Sequence, residues 1–303
     1  MLKDCVDSYL AVRRAAGFSL RVPECLLRGF VRMAAERGDQ HVRTDTAIAW
    51  AALAPTPRQR ERRLNEVIRF ARYLRAEDSS HDLPPRGVFA HHTSRRIPYI
   101  FSADDIRRLL DAASGLGPRA TLRPYTYRTL FGLIAATGLR ISEALGLALQ
   151  DVTEDGLRIR DTKFRKSRLV PLHPTTRAAL DEYLAMRCRM GGACEQVFVS
   201  VRGARLAYPT VITTFLLLVR GLGLHPGPGQ PGSRIHDLRH TFAVRALEQA
   251  PQTKAGVTGH LLALSTYLGH AHVADTCWYL QATPQLMFGI ADACEQYLRR
   301  EMP

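Results

Sequence analysis

HDLRHTFA, residues 236–243, sets a histidine and an arginine three positions apart, so that on a helix His236 and Arg239 share one face. Three other stretches carry side chains of matching chemistry. ATGLRISEALGL, residues 136–147, puts Arg140 just after a glycine turn and at the start of a helix. STYLGHAHVADTCWYL, residues 265–280, places Tyr279 nine residues after His270. Between these boxes, Leu157 to Arg160 and Arg168 to Leu172 are short strand-like runs around Thr162-Lys163-Phe164-Arg165-Lys166, which predicts a β-hairpin with a basic tip.

Taken in order, Arg140, Lys163, His236 with Arg239, His270 and Tyr279 resemble the catalytic pattern of the tyrosine recombinase (phage-integrase-like) family. Any single box is weak. A G-L-R-I-S-E box, an H-x-L-R-H box and an L-G-H box with a tyrosine nine residues on are together specific, and the resemblance covers essentially the whole chain. It implies a mainly α fold with a small β-sheet, built as an N-terminal helical DNA-binding domain plus a catalytic domain. It also implies a site-specific DNA recombinase that cleaves and rejoins strands through a 3′-phosphotyrosine intermediate, with double-stranded DNA as partner, a homotetramer on two sites, and no cofactor. Two features depart from the commonest pattern. The segment EQAPQTKAGVTGHLLALS, residues 248–265, carries extra residues, and the run around Tyr267 to Tyr279 looks more like a mobile-element branch than the chromosome-dimer-resolving one.

The residue types suit the chemistry. Arg140 and Arg239 can each offer two N–H donors to the non-bridging oxygens of a phosphodiester and stabilise charge at phosphorus. A free phenol has a pKa of about 10, so Tyr279 needs a proton acceptor or a strongly positive site. His236 is the candidate base, His270 a hydrogen-bond donor to the phosphate, and Lys163 the candidate general acid for the departing 5′-oxygen. Lys166 competes with Lys163, and alignment on Arg168-Leu169-Val170-Pro171-Leu172 favours Lys163. Alone, Arg140 would read as a helix-start residue paired with Glu143; within the set, catalysis is the better reading. Tyr267, in an apolar helical run, reads as packing, as do Cys277 and Trp278. His240 and His272 read as structural or phosphate-adjacent.

Charge agrees with a polyanionic partner. Lys plus Arg number 42 against 28 Asp plus Glu, a formal net charge of +14 over 303 residues. Lys3, Lys163, Lys166 and Lys254 are the lysines; all other basic side chains are arginines, which grip phosphate with a planar fork. No run is long and apolar enough for a membrane span and MLKDCVDSYL has no signal-peptide core, so membrane partners fall behind and a cytoplasmic location is expected. Six cysteines without a CxxC pair and eleven histidines without HExxH support neither a disulfide framework nor a metal site.

Residues 1–80 read as a helical DNA-clamping domain, 81–98 as a linker within the aperiodic stretch 77–98, and 99–303 as the catalytic domain. Thr56 and Pro57 open a helix to about Arg75, with Leu64, Val67, Ile68 and Ala71 on one side. Arg58, Arg62 and Arg69 lie opposite, with Arg72 beside them, as either a DNA-facing or a merely solvated face. Residues 284–301 predict an amphipathic C-terminal helix carrying Leu286, Ile290, Cys294, Tyr297 and Leu298, which docks on its own domain or on a neighbour. The rival functions are a type IB topoisomerase-like relaxation activity and a catalytically inactive DNA-binding protein. The N-terminal domain and the intact six-residue set argue against both.

Overall fold

The computed structural model describes residues 2–18, 20–89, 96–118, 120–160, 167–190, 194–225, 232–249 and 254–279. The hairpin tip with Lys163 and Lys166, and the C-terminal segment 284–301, lie outside the described residues. The chain divides into two compact units, Met1–Arg95 and Arg96–Pro303.

The first unit packs α1 (Leu2–Ala15), α2 (Arg21–Glu36), α3 (Thr44–Ala52) and α4 (Pro57–Leu74) around Leu27, Phe30, Val67 and Phe70, each fully buried. Local chemistry sets the ends. Thr56 accepts from the Gln59 N–H and Pro57 occupies the first turn of α4. The arginines of α4 divide by use. Arg60 donates to the Ala54 carbonyl, and Arg63 donates to the Trp50 carbonyl and stacks on its ring. Arg58, Arg62, Arg69 and Arg72 are exposed, with Arg69 paired to Glu66.

Residues 77–89, which composition marks as linker, fold onto this unit instead. His81 is buried and its Nδ1 accepts from the Val42 N–H at 3.0 Å, while Asp82 accepts from the Thr44 N–H at 2.9 Å at the start of α3. Polar side chains hold the segment, which is why it shows no apolar period.

The second unit is built around α6 (Arg123–Thr137), flanked by α5 (Ala103–Ser114), α8 (Pro174–Met190) and α10 (Ile235–Glu248). A helix with neighbours on several sides is apolar all round, and Tyr127, Leu130, Phe131, Leu133 and Ile134 are all buried. Ser102 and Asp105 form the capping box that starts α5. The short α7 (Ile141–Gly146) follows α6, α9 (Tyr208–Gly221) packs on α5, and α11 (Lys254–Leu268) leads to α12 (Ala274–Cys277). The expected hairpin is present as β2 (Gly156–Ile159) and β3 (Arg168–Val170), antiparallel, with Leu157 opposite Val170 and Ile159 opposite Arg168. A further strand that the sequence reading missed, β1 (Val152–Thr153), pairs with β2 to give the order β1-β2-β3. At two residues it is too short to show a period.

Candidate active site

Gly138 ends α6 in the left-handed region, φ 63°. A Cβ at that position would stand 2.5 Å from Phe242 Cδ1. Glycine is therefore required twice, for its backbone and for the space. The turn it makes aims Arg140 inward at the head of α7. There the Arg140 backbone N–H donates to Glu143 Oε2 at 3.0 Å and Nη1 donates to Oε1 at 2.8 Å. The other nitrogen, Nη2, donates to the Gly269 carbonyl at 3.2 Å. The Glu143 pairing and the catalytic reading of Arg140 are thus compatible; the pair orients the guanidinium.

Arg239 is only 1% exposed, and its guanidinium is held by hydrogen bonds within the protein. Nη1 donates to the Gly138 carbonyl at 2.6 Å; Nη2 donates to the Leu268 carbonyl at 2.7 Å and meets His270 Nε2 at 3.0 Å. Burial, then the neighbouring Arg140 charge, lower its pKa to about 10, so it stays charged at neutral pH. An arginine can only donate, so His270 Nε2 is the acceptor and the proton sits on Nδ1, which lies 2.6 Å from Thr276 Oγ1. His270 is held as a neutral ring, and it would have to gain or move a proton before Nε2 could donate to a phosphate.

Tyr279 is 3% exposed, and its hydroxyl feels the charge of the Arg239 guanidinium. Burial raises the phenol pKa while Arg239 pulls it down. The rings of His240 at 5.3 Å, Trp278 at 5.8 Å and His270 at 6.1 Å surround it. His236 is one ring further away: it packs on His240 at 4.6 Å and is itself exposed. Surrounding protein, then the Arg239 charge, depress its pKa. The structure thus brings Arg140, His236, Arg239, His270 and Tyr279 into one cluster, drawn from α7, α10 and the α11–α12 region. Tyr267 stacks on Phe242 and takes the packing role expected of it.

Sequence reasoning placed Glu143 beside Arg140 but missed its second partner, Arg168. Glu143 is a buried carboxylate shared by Arg140 and Arg168, which donates to it at 2.8 Å. Burial would raise the Glu143 pKa, but hydrogen bonds from Arg168 and Arg140 hold it at about 2. The signal for Arg168 was present in the alternation of β3, which puts it on the same face as buried Val170. His240, read as structural or phosphate-adjacent, is one of the rings packed on the tyrosine, and its Nδ1 is buried without a hydrogen-bond partner.

A pH dependence follows. Burial first, then neighbouring positive charge, bring His240 to about 3 and His270 to about 4, from an ordinary 6.5. Both bind protons more weakly folded than unfolded, so the stability they contribute is intact above pH 6.5 and declines as pH falls toward those values. The melting temperature should drop between pH 6.5 and 5, above the range where Glu143 begins to contribute. His240→Phe should flatten that drop; an unchanged slope would remove His240 from the account.

Residues 100–285 match the phage integrase family. A putative integrase/recombinase of Sinorhizobium fredii, y4rB, is 41% identical over 295 residues, covering 94% of this chain and 94% of that protein. The tyrosine recombinase XerC of Rhodospirillum centenum is 30% identical over 243 residues, 80% of this chain and 67% of its own. Among solved structures, the XerH site-specific recombinase bound to palindromic difH substrate, a post-cleavage complex, aligns with a TM-score of 0.65 at 17% identity, over 90% of this chain and 78% of that one. A structural likeness at that identity speaks for the fold, and the fold agrees. By the match over its catalytic unit and by its likeness to y4rB along nearly the whole chain, the protein belongs to the phage integrase family of tyrosine recombinases and is an enzyme of site-specific DNA recombination.

Proposed function

We propose that this recombinase breaks DNA by attack of the Tyr279 hydroxyl on a backbone phosphate, forming a 3′-phosphotyrosine and releasing a 5′-hydroxyl. The observation that carries the reading is the burial of Tyr279 against the His240 and His270 rings, with Arg239 bonded to that same His270 and Arg140 in the same cluster of one chain. Arg140 and Arg239 bind the non-bridging oxygens. The phenol proton leaves toward the histidine cluster, with His236 as the solvent-facing base, and Lys163 gives a proton to the departing 5′-oxygen. The bond energy is kept in the Tyr–phosphate ester, and a 5′-hydroxyl from another strand attacks it to reseal.

DNA is gripped by the exposed arginines of α4, Arg58, Arg62, Arg69 and Arg72, and by Lys166 near the catalytic lysine. A homotetramer on two DNA sites is the working assembly; a lambda integrase tetramer bound to a Holliday junction is among the structures of this fold, with a TM-score of 0.63. A mobile-element origin and a cytoplasmic location complete the reading. Among the described residues no helix is long and apolar enough to cross a membrane.

Trapping the enzyme on a nicked duplex, followed by peptide mapping and sequencing of the retained DNA, tests this directly. The expected adduct is on Tyr279; an adduct on Tyr267 would overturn the assignment. Binding should weaken steeply with salt as phosphate contacts release counterions. Replacing Arg58, Arg62 and Arg72 together by glutamine should lower the slope of log K against log salt by roughly one unit per lost contact. An unchanged slope would show that α4 presents only a solvated face.

A further inference from the structure

Arg168 opens β3, across the hairpin from Ile159. Alternation sends it to the inner face with buried Val170, while Leu169 between them is exposed. A guanidinium on an inner face needs a counter-charge, and here it is Glu143. Arg168 Nη1 donates to Oε1 at 3.1 Å and Nη2 to Oε2 at 2.8 Å, a two-point fork. The same two oxygens accept from the Arg140 side chain at 2.8 Å and from its backbone N–H at 3.0 Å.

One carboxylate therefore faces two guanidiniums, and one positive charge is left over beside the residue that meets the phosphate. A second contact points the same way. Gly269, at φ 66°, lies so close to Arg168 that a Cβ there would stand 2.7 Å from Nη1, and the Gly269 carbonyl accepts from Arg140 Nη2 at 3.2 Å. Arg168 supports both sides of Arg140: the carboxylate that orients it and the turn that leads on to His270.

We infer that Arg168 is a positioning residue for strand cleavage, which takes up the Glu143 carboxylate so that the charge of Arg140 is left for the scissile phosphate. Arg168 touches no substrate itself, and the inference rests on Arg140 acting at that phosphate. Without Arg168, Glu143 would have Arg140 as its only arginine partner; the pair would close on itself and be neutral. A lysine would restore the charge but could not span both oxygens.

The test compares two nicked duplexes, one with an ordinary scissile phosphodiester and one with a methylphosphonate, in which a methyl group replaces a non-bridging oxygen and removes the negative charge. The full-length chain is used, and the rate of covalent adduct formation is read. Arg168→Met should slow cleavage of the diester on the order of 10- to 100-fold, while cleavage of the methylphosphonate stays within about threefold of the parent rate. Arg168→Lys should fall between on the diester. Arg168→Met leaves Glu143 its bonds from Arg140, so the carboxylate is not stranded, and a melting curve checks that the fold is kept.

Equal slowing of both substrates, or no slowing of either, by both Arg168 variants overturns the inference. Arg140→Ala, run in parallel, separates the two layers of the argument. If Arg140→Ala also fails to discriminate between the substrates, Arg140 is not at the phosphate and the inference falls with that reading. If it discriminates and the Arg168 variants do not, the role of Arg168 alone falls.

Discussion

Tyr279→Phe is expected to abolish the covalent protein–DNA adduct on a nicked substrate while DNA affinity stays within about threefold. The substitution removes one atom, the hydroxyl oxygen. The ring keeps its place among His240, Trp278 and His270, so packing is conserved and the fold should lose only about 1 kcal/mol with the hydroxyl. Arg239 retains its two carbonyl acceptors and His270, which spares the buried charge from being stranded. Binding is dominated by phosphate contacts spread over the basic surface, and a phenol that is 3% exposed adds little to them. A denaturing gel after incubation with labelled DNA reads the adduct. An adduct from the Phe variant would mean that another nucleophile does the chemistry.

Arg239→Lys is expected to lower the cleavage rate by roughly 10²- to 10³-fold, although the charge is kept. The arginine fork reaches the Gly138 and Leu268 carbonyls and the His270 ring at once. An ammonium has three donors on one atom and cannot span acceptors that far apart. Buried carbonyls would lose partners, at a stability cost of about 2 kcal/mol. Assays well below the melting temperature separate that loss from the catalytic one. A lysine variant with near-parent cleavage would show that charge alone is needed and that the planar geometry is incidental.

Much of the fold can be read from local signals. Thr56 with Pro57, Ser102 with Asp105, and Gly138 each act within one turn of chain, and each marks an element boundary in the structure. The stretch after Leu74 reads as a linker because it is held largely by polar contacts, such as those of His81 and Asp82 to residues 39 and 38 positions away. The site is similar. Its reactive groups stand out in sequence because a guanidinium, an imidazole or a phenol has its chemistry wherever it lies, and because four boxes in one order are specific together. Their supports, Glu143, Arg168 and His240, are common residue types whose meaning comes from what they touch.

The sequence by itself determined the family, the mainly helical fold with its small hairpin and the basic character, and it supplied the candidate reactive groups, since each depends on residue type, order and short-range spacing. Only the tertiary structure decided that Arg239 is buried against the Gly138 turn, that Tyr279 meets that arginine within one chain, and that Glu143 serves two arginines. Those contacts join residues up to about a hundred positions apart, as in Arg239 to the Gly138 carbonyl. They follow from how α6, α7, α10 and β3 pack together, and helical or strand periodicity specifies only which face of an element is buried, not which partner that face will meet.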